Sequence, residues 1–435
     1  MQNHSFNKRL FGEASWALFG QLGSALALLA GTRILTELVS PEVYGQVALL
    51  GGFIALGVTL FAYPFICAGM RLMPECLHKR ERAELRSVVA RLTVRSTALA
   101  VVILTATGVV ARYLFNSDIG LFALAGFLLV VTVRREFGVQ WLIGERRQRE
   151  ASLWQTIDSI LRPGFAIALV GLWGAKASLV LLGYILASIT ANLVGAIVRG
   201  GDSDEMPRPL NASSLKHEVW AYAMPLIPME LLFWVNGVGD RYVIGCLMTA
   251  ADVGVYAASY TLINEAFNRS AMVLLRTFQP IYFHSDSSKD PRDRFNILWI
   301  WIASVVALDI IGVSALFMLK DWVALVFLSK TYHSAIILMP AIGIGCALHA
   351  LATVLSQPLL ASKKTSALLT GRLCGAVAAA ISIPVMVIHY GLPGAAMANP
   401  IYFGIEAVAM AILGKPWRMG GPEPRAGLVL AEEEA

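Results

Sequence analysis

Residues 295–319 read FNILWIWIASVVALDIIGVSALFML, an apolar run held between Arg294 and Lys320 and interrupted by one charge, Asp309. A helix needs about 20 mostly apolar residues to cross roughly 30 Å of hydrocarbon, so this run is long enough to span. Lipid offers no hydrogen bonds to the backbone, and the run is therefore predicted to be helical. It does not alternate apolar with polar residues, as a membrane β-strand would. Similar runs recur along the chain. Their approximate bounds are 14–36, 44–68, 88–111, 120–141, 151–172, 177–198, 218–243, 252–276, 295–319, 334–360, 366–389 and 392–413. The reading is an all-α, polytopic integral membrane protein of about twelve spans.

Composition agrees. The 435 residues are 57% hydrophobic and 15% charged, whereas soluble domains carry about 25% charged residues. Mean hydropathy is +0.65. The net charge of +6 does not point to nucleic acid, because the basic residues sit between apolar runs. Five scattered cysteines (Cys67, Cys76, Cys246, Cys346, Cys374) show neither CxxC nor Cys/His metal spacing, so no metal and no disulfide framework is expected. There is no P-loop, HExxH or GxSxG. No catalytic residue and no cofactor is expected. Lys8, Arg9 and Ala25-Leu26-Ala27 imitate a signal peptide. The apolar run continues to about Thr36, beyond the roughly 7–15 residues of a signal core. It is expected to be the first span, uncut.

Basic residues set the orientation. They cluster in alternate connections: Arg71, Lys79, Arg80, Arg82 and Arg86; then Arg146, Arg147 and Arg149; then Arg199, Arg208 and Lys216; then Lys289, Arg292 and Arg294; then Lys363 and Lys364; and finally Lys415, Arg418 and Arg425. The other connections hold few, mainly Arg112, Lys176, Lys320 and Lys330. Both termini are therefore expected in the cytoplasm, as an even span count requires. Residues 1–198 form a first six-helix bundle in this reading, 199–217 a cytoplasmic linker, 218–413 a second bundle and 414–435 a cytoplasmic tail. Neither hydrophilic segment is long enough for a catalytic domain. The halves echo each other weakly: Arg33 precedes Val43-Tyr44-Gly45, and Arg241 precedes Val253-Gly254-Val255-Tyr256. Corresponding motifs in two six-span halves suggest a duplicated transporter.

An ionisable residue in mid-bilayer costs roughly 2.5–3.5 kcal/mol on insertion scales, so it faces a partner or a watery cavity. Gln155, Asp158 and Arg162 share one face of span five. Glu230, Trp234, Gly237 and Arg241 share a face of span seven, with Asp240 beside them. Glu265 and Arg269 lie one turn apart in span eight. Span four holds Arg134, Arg135 and Glu136, and later spans hold Asp309, His349, Arg372 and Glu406. Arginine keeps its charge and grips phosphate through a planar fork, so these arginines suit an anionic, phosphate-bearing cargo. Arg33, Arg134, Arg162, Arg241 and Arg269 are the substrate candidates. Asp158, Glu230, Asp240 and Glu265 are candidates for ion coupling or for salt bridges. The plainer alternatives are structural pairing for Asp158–Arg162 and Glu265–Arg269, and snorkelling to headgroups for Arg33 and Arg241. Gly371 and Gly375 form a GxxxG that lets helices approach closely.

Two blocks carry a family resemblance. Gly31-Thr32-Arg33-Ile34-Leu35 with Leu38-Val39-Ser40-Pro41-Glu42-Val43-Tyr44-Gly45 is the first. Tyr222-Ala223-Met224-Pro225-Leu226-Ile227-Pro228 with Asp240-Arg241-Tyr242 and Val253-Gly254-Val255-Tyr256 is the second. Together they resemble the Wzx-type flippases of bacterial polysaccharide units, in the multidrug/oligosaccharidyl-lipid/polysaccharide exporter superfamily. The resemblance implies two pseudo-symmetric six-helix bundles around a central cavity. It implies an undecaprenyl-pyrophosphate-linked oligosaccharide as cargo, moved across the inner membrane by ion-coupled alternating access for O-antigen, capsule or exopolysaccharide assembly. Membrane lipids, and the polymerase and glycosyltransferases of that pathway, are the implied partners. An ion-coupled multidrug extruder of the same superfamily is the alternative; a membrane-embedded glycosyltransferase, polymerase or ligase is a third reading, which the short outer loops disfavour.

The orientation is checked by reporter fusions at the C-terminus. A fused green fluorescent protein should fluoresce and a fused alkaline phosphatase should be inactive; the opposite pair of results would reverse the topology.

Overall fold

The computed structural model describes residues 20, 23–76, 78–115, 118–198, 212–286 and 291–418. The start of the first predicted span, most of the predicted linker and the tail beyond Arg418 lie outside them. Among the described residues there are helices and turns and no strand. Helix α1 covers 23–38, followed by α2 (Pro41–Gly57), α3 (Tyr63–Leu72), α4 (Lys79–Phe115), α5 (Ile119–Gly144), α6 (Gln148–Trp173) and α7 (Ala177–Val198). Then come α8 (Ala212–Ala223), α9 (Leu226–Leu247), α10 (Ala250–Asp286), α11 (Pro291–Phe327), α12 (Met339–Leu355), α13 (Gln357–Ala361) and α14 (Thr365–Gly414). By length and apolarity alone, eight helical segments can cross a membrane, with α14 counted once. Counting α14 twice and adding α1, α5 and α10 gives the twelve predicted spans.

Proline explains where helices depart from the predicted runs. The second span is interrupted by a π-helical turn, Val58–Ala62, just before Pro64. Proline has no N–H to donate, so carbonyls in the preceding turn need other partners. Around this turn side-chain hydroxyls also bond the backbone: Thr59 Oγ1 donates to Ala55 O at 3.0 Å, and Ser96 Oγ of α4 donates to Phe61 O. The seventh run divides at Met224-Pro225 into α8 and α9. The tenth starts late: Lys330–Ile337 is a 3₁₀ turn, and α12 begins at Met339 with Pro340 in its first turn. Spans eleven and twelve are two arms of α14, reversed at Gly391, where φ of +62° suits glycine. The arms fold against each other, as the contact of Arg372 with Glu406 shows. Helices α4, α10 and α11 each have 37 residues, which at 1.5 Å per residue exceeds the hydrocarbon thickness.

The described chain forms two compact units. The first runs to Ser259 and takes in Asp321–Ile336; the second comprises Tyr260–Lys320 and everything from Ile337 onward. The first unit includes α9 and the start of α10 because α2 is fastened to both. A Cβ on Gly45 would overlap Ala250 O and approach Gly254 N; a Cβ on Gly254 would overlap Pro41 O and approach Gly45 N. The two glycines of the sequence echo therefore meet backbone to backbone. One turn along, Tyr242 Oη donates to Leu49 O at 2.8 Å, and Trp234 Nε1 donates to Gly52 O at 2.8 Å. Phe53 packs edge-on against Tyr242, ring centroids 4.9 Å apart. The 3₁₀ turn joins the same unit through Tyr332, whose hydroxyl donates to Val39 O at 3.1 Å.

Gly45→Val should lower stability by at least the roughly 1–3 kcal/mol of an overpacked core, because backbone must shift to admit the side chain. Gly51→Ala, where a Cβ meets nothing within 4 Å, should be neutral. Thermal unfolding of both purified variants in detergent checks this; equal midpoints would show that the crossing is not tight.

Candidate functional site

In the first unit a charged cluster joins α5, α6 and α7. Asp158 of α6 is 0% exposed. It pairs with Arg135 of α5, with Arg162 one turn along its own helix (2.9 Å), and accepts from Ser188 Oγ of α7 at 3.2 Å. Arg135 also pairs with Glu136. Arg162 Nη2 donates to Thr132 Oγ1 at 3.3 Å and Ser188 Oγ at 3.2 Å. Two guanidiniums thus face two carboxylates, and the hydroxyls of Thr132 and Ser188 take Arg162 Nη2. Such compensation is what makes buried charge tolerable.

The structure brings Asp158 and Arg162 together as their spacing predicts, and adds Arg135. Arg134 lies on another face and is exposed, along with Phe127 and Val130, seven and four residues before it. Arg135 instead follows buried Leu128 and Thr132. Helical phase separates the two arginines, and the sequence signal was Thr132, a small hydroxyl residue one turn ahead of Arg135 on its face.

A second set lies on α9 and α10. Asp240 is 2% exposed and accepts from the Tyr256 hydroxyl and, at 2.8 Å, from the Arg241 backbone N–H. Arg241 is half-buried. Glu230, two to three turns earlier on α9, is also half-buried. Arg33 of α1 pairs with Glu37 one turn along, a partner that the sequence reading passed over.

In the second unit Glu265 and Arg269 of α10 form the predicted pair, with Arg269 Nε donating to Glu265 Oε1 at 2.6 Å. A further cluster unites residues that the sequence gave no reason to join. Glu406, 0% exposed, pairs with Arg372 from the other arm of α14, and His349 Nδ1 of α12 lies 3.9 Å from its Oε2. These residues are 34 and 57 positions from Glu406 in the chain. Among the described residues, no group of His, Cys, Asp and Glu side chains is arranged to hold a metal ion.

A family model described as "Polysaccharide biosynthesis protein" matches residues 34–337. A search of curated proteins finds no match. Several solved structures share the fold. One is the inward-facing conformation of a multidrug resistance MATE family transporter of the MOP superfamily, at TM-score 0.71 and 15% identity, covering 91% of this chain and 94% of that one. Another is the lipid II flippase MurJ in an inward closed conformation, at TM-score 0.68 and 14% identity, covering 94% and 90%. A MATE in the straight conformation gives 0.63 and 12%, covering 94% and 96%. At these identities the likeness is one of fold.

Removing one member of a buried charge cluster costs up to about 3–5 kcal/mol where a partner is left uncompensated; without Arg135, Asp158 keeps Arg162 and Ser188, while Glu136 loses its guanidinium. Arg135→Met should therefore destabilise the protein strongly, whereas Arg134→Met, on the exposed face, should change little. Unfolding midpoints of the two variants in the same detergent test this; equal losses would refute the inside–outside assignment of the two arginines.

Proposed function

The chain belongs to the polysaccharide biosynthesis protein family, and from that premise we propose that it is a flippase for undecaprenyl-pyrophosphate-linked oligosaccharide units. The observation that carries the reading is that a polysaccharide-biosynthesis chain has the fold of bilayer transporters. Surface polysaccharide built from cytoplasmic sugars requires a lipid-linked unit to cross the membrane. In this reading the protein lies in the bacterial inner membrane with both termini cytoplasmic. It receives cargo from glycosyltransferases, delivers it to a polymerase, and serves O-antigen, capsule or exopolysaccharide synthesis. Two six-span halves, 1–198 and 218–413, arose by duplication and alternate in access.

The pyrophosphate is the recognition handle. It presents anionic oxygens to planar guanidinium forks, which bind them through charge-assisted hydrogen bonds. Arg33, Arg134, Arg162, Arg241 and Arg269 are the candidates; Arg33, Arg162 and Arg269 reach cargo only by loosening their hold on Glu37, Asp158 and Glu265. Asp158 and Glu265, with Glu230 and Asp240, are the candidates for ion coupling in the same scheme. A cationic-drug extruder fits less well, since Asp158, Glu265 and Glu406 are each committed to an arginine.

The test is leaflet transfer of a fluorescent undecaprenyl-pyrophosphate oligosaccharide by the full chain in vesicles. Transfer should depend on the protein. Arg241→Ala or Arg33→Ala should slow it roughly tenfold or more, the equivalent of a hydrogen bond to a charged group, with Arg→Lys recovering part. No protein-dependent transfer under any ion gradient would overturn the proposal, and full activity of both alanine variants would remove these arginines from the site.

A further inference from the structure

The cluster around Glu406 adjoins a cavity of about 60 Å³ that lies wholly within the second unit. Its lining includes Asn264 and Asn268 of α10, Val305 of α11, and Cys346, His349 and Thr353 of α12. The volume is several times the roughly 10–15 Å³ needed to admit one water, and the amides and hydroxyl give water partners. His349 is the lining residue whose side chain can gain a positive charge by taking up a proton. Its ring stands between this polar space and the carboxylate, with Nδ1 buried and 3.9 Å from Glu406 Oε2. Phe403 packs on the ring, centroids 4.6 Å apart.

Two features place the carboxylate there. Gly375 of the GxxxG makes room for it: a Cβ at that position would lie 3.1 Å from Glu406 Oε2. Arg372, on the adjacent turn, pairs with Oε1. The charged and titratable groups on the surrounding elements are few. From α14 they are Arg372, Cys374, His389, Tyr390, Tyr402 and Glu406, and α12 carries Cys346 one turn before His349. Helix α10 carries the Glu265–Arg269 pair next to the two cavity amides, and α11 carries half-buried Asp309 one turn beyond Val305. Helix α13 contributes neutral Gln357, which donates to Thr353 O at 3.0 Å. Arg372 and Glu406 cancel, so the local charge rises by one when His349 takes up a proton.

We propose that His349 is a proton-binding site that couples cargo movement to a proton gradient, with Glu406 as its counter-ion and Arg372 as the competing partner. An N–H bond forms on the imidazole as an O–H bond of cavity hydronium breaks. The imidazolium then draws Glu406 away from Arg372, and loss of the proton restores the Arg372–Glu406 pair. Two alternative pairings of one carboxylate across α12 and the two arms of α14 form the element that the proton biases. This proposal rests on the transporter reading above and names the ion that reading leaves open.

The site is tested without cargo by nuclear magnetic resonance of the full chain, labelled with ¹⁵N-ring histidine, in lipid nanodiscs. A signal absent from His349→Gln should move with pH as the ring takes up its proton. In Glu406→Gln its midpoint should fall by about one pH unit, since an opposite charge at this range favours the protonated ring. Should Glu406→Gln fail to fold, the Arg372→Met/Glu406→Gln pair, which strands no charge, should give the same fall. A signal that does not titrate, or one whose midpoint ignores the loss of Glu406, would overturn the site. Coupling is tested by leaflet transfer in vesicles. A proton gradient should accelerate wild type roughly tenfold and leave His349→Gln unchanged. Acceleration that survives in His349→Gln, or that follows sodium instead, would overturn the coupling role while leaving the flippase reading intact. Absence of all transfer would overturn the flippase reading and the coupling with it, and the titration would still decide whether His349 binds the proton.

Discussion

Gly45 lies against Gly254 with no side chain between them, and the organisation of the first unit follows from that contact. Helices joined only through side chains can slide by rotamer changes; helices in backbone contact have one register. Tyr242 and Trp234 then reach carbonyls three residues apart on α2, Leu49 O and Gly52 O, which continues the same face by another two turns. These contacts tie α2 to the α9–α10 hairpin. They explain why the compact unit ends at Ser259, within α10, and not in the hydrophilic stretch after α7.

The second governing constraint is charge compensation. Asp158, Asp240 and Glu406 are all nearly inaccessible. Each is met by compensating groups: arginines and a serine for Asp158, a tyrosine and the neighbouring backbone amide for Asp240, and an arginine for Glu406, with the His349 ring 3.9 Å away. In a bilayer an uncompensated carboxylate would cost several kcal/mol, so each cluster fixes the helices that supply its donors. The clusters differ in what they can do. The Asp158 set is closed by two guanidiniums that stay charged at any working pH. The Glu406 set includes an imidazole, and its charge can change.

Much of the fold was legible because membrane solvation writes it into composition. Apolar run length gave the spans, and the reversal at Gly391 falls in the short gap between the predicted runs 366–389 and 392–413. Helical spacing was enough for Asp158–Arg162 and Glu265–Arg269, since partners one turn apart on a helix must face each other. Partners on different helices were not legible. Arg135 with Asp158, and Glu406 with Arg372 and His349, depend on which face of each helix turns inward, and a uniformly apolar helix does not declare its inner face. Arg134 and Arg135, adjacent in sequence, differ there in one cue alone, Thr132 a turn ahead of Arg135 on its face. The Val-Tyr-Gly and Val-Gly-Val-Tyr echo was legible as a repeat, but nothing in one dimension said that its two copies touch.

In the proposed function an arginine-bearing transporter recognises a lipid-linked pyrophosphate. The most direct measurement is the identity of the lipid the intact chain carries, read by native mass spectrometry after gentle release from membranes supplied with an undecaprenyl-pyrophosphate oligosaccharide. The account predicts a bound mass equal to that lipid, lost from the Arg33→Ala/Arg241→Ala double variant. Bulk phospholipid alone, bound equally by wild type and variant, would contradict it.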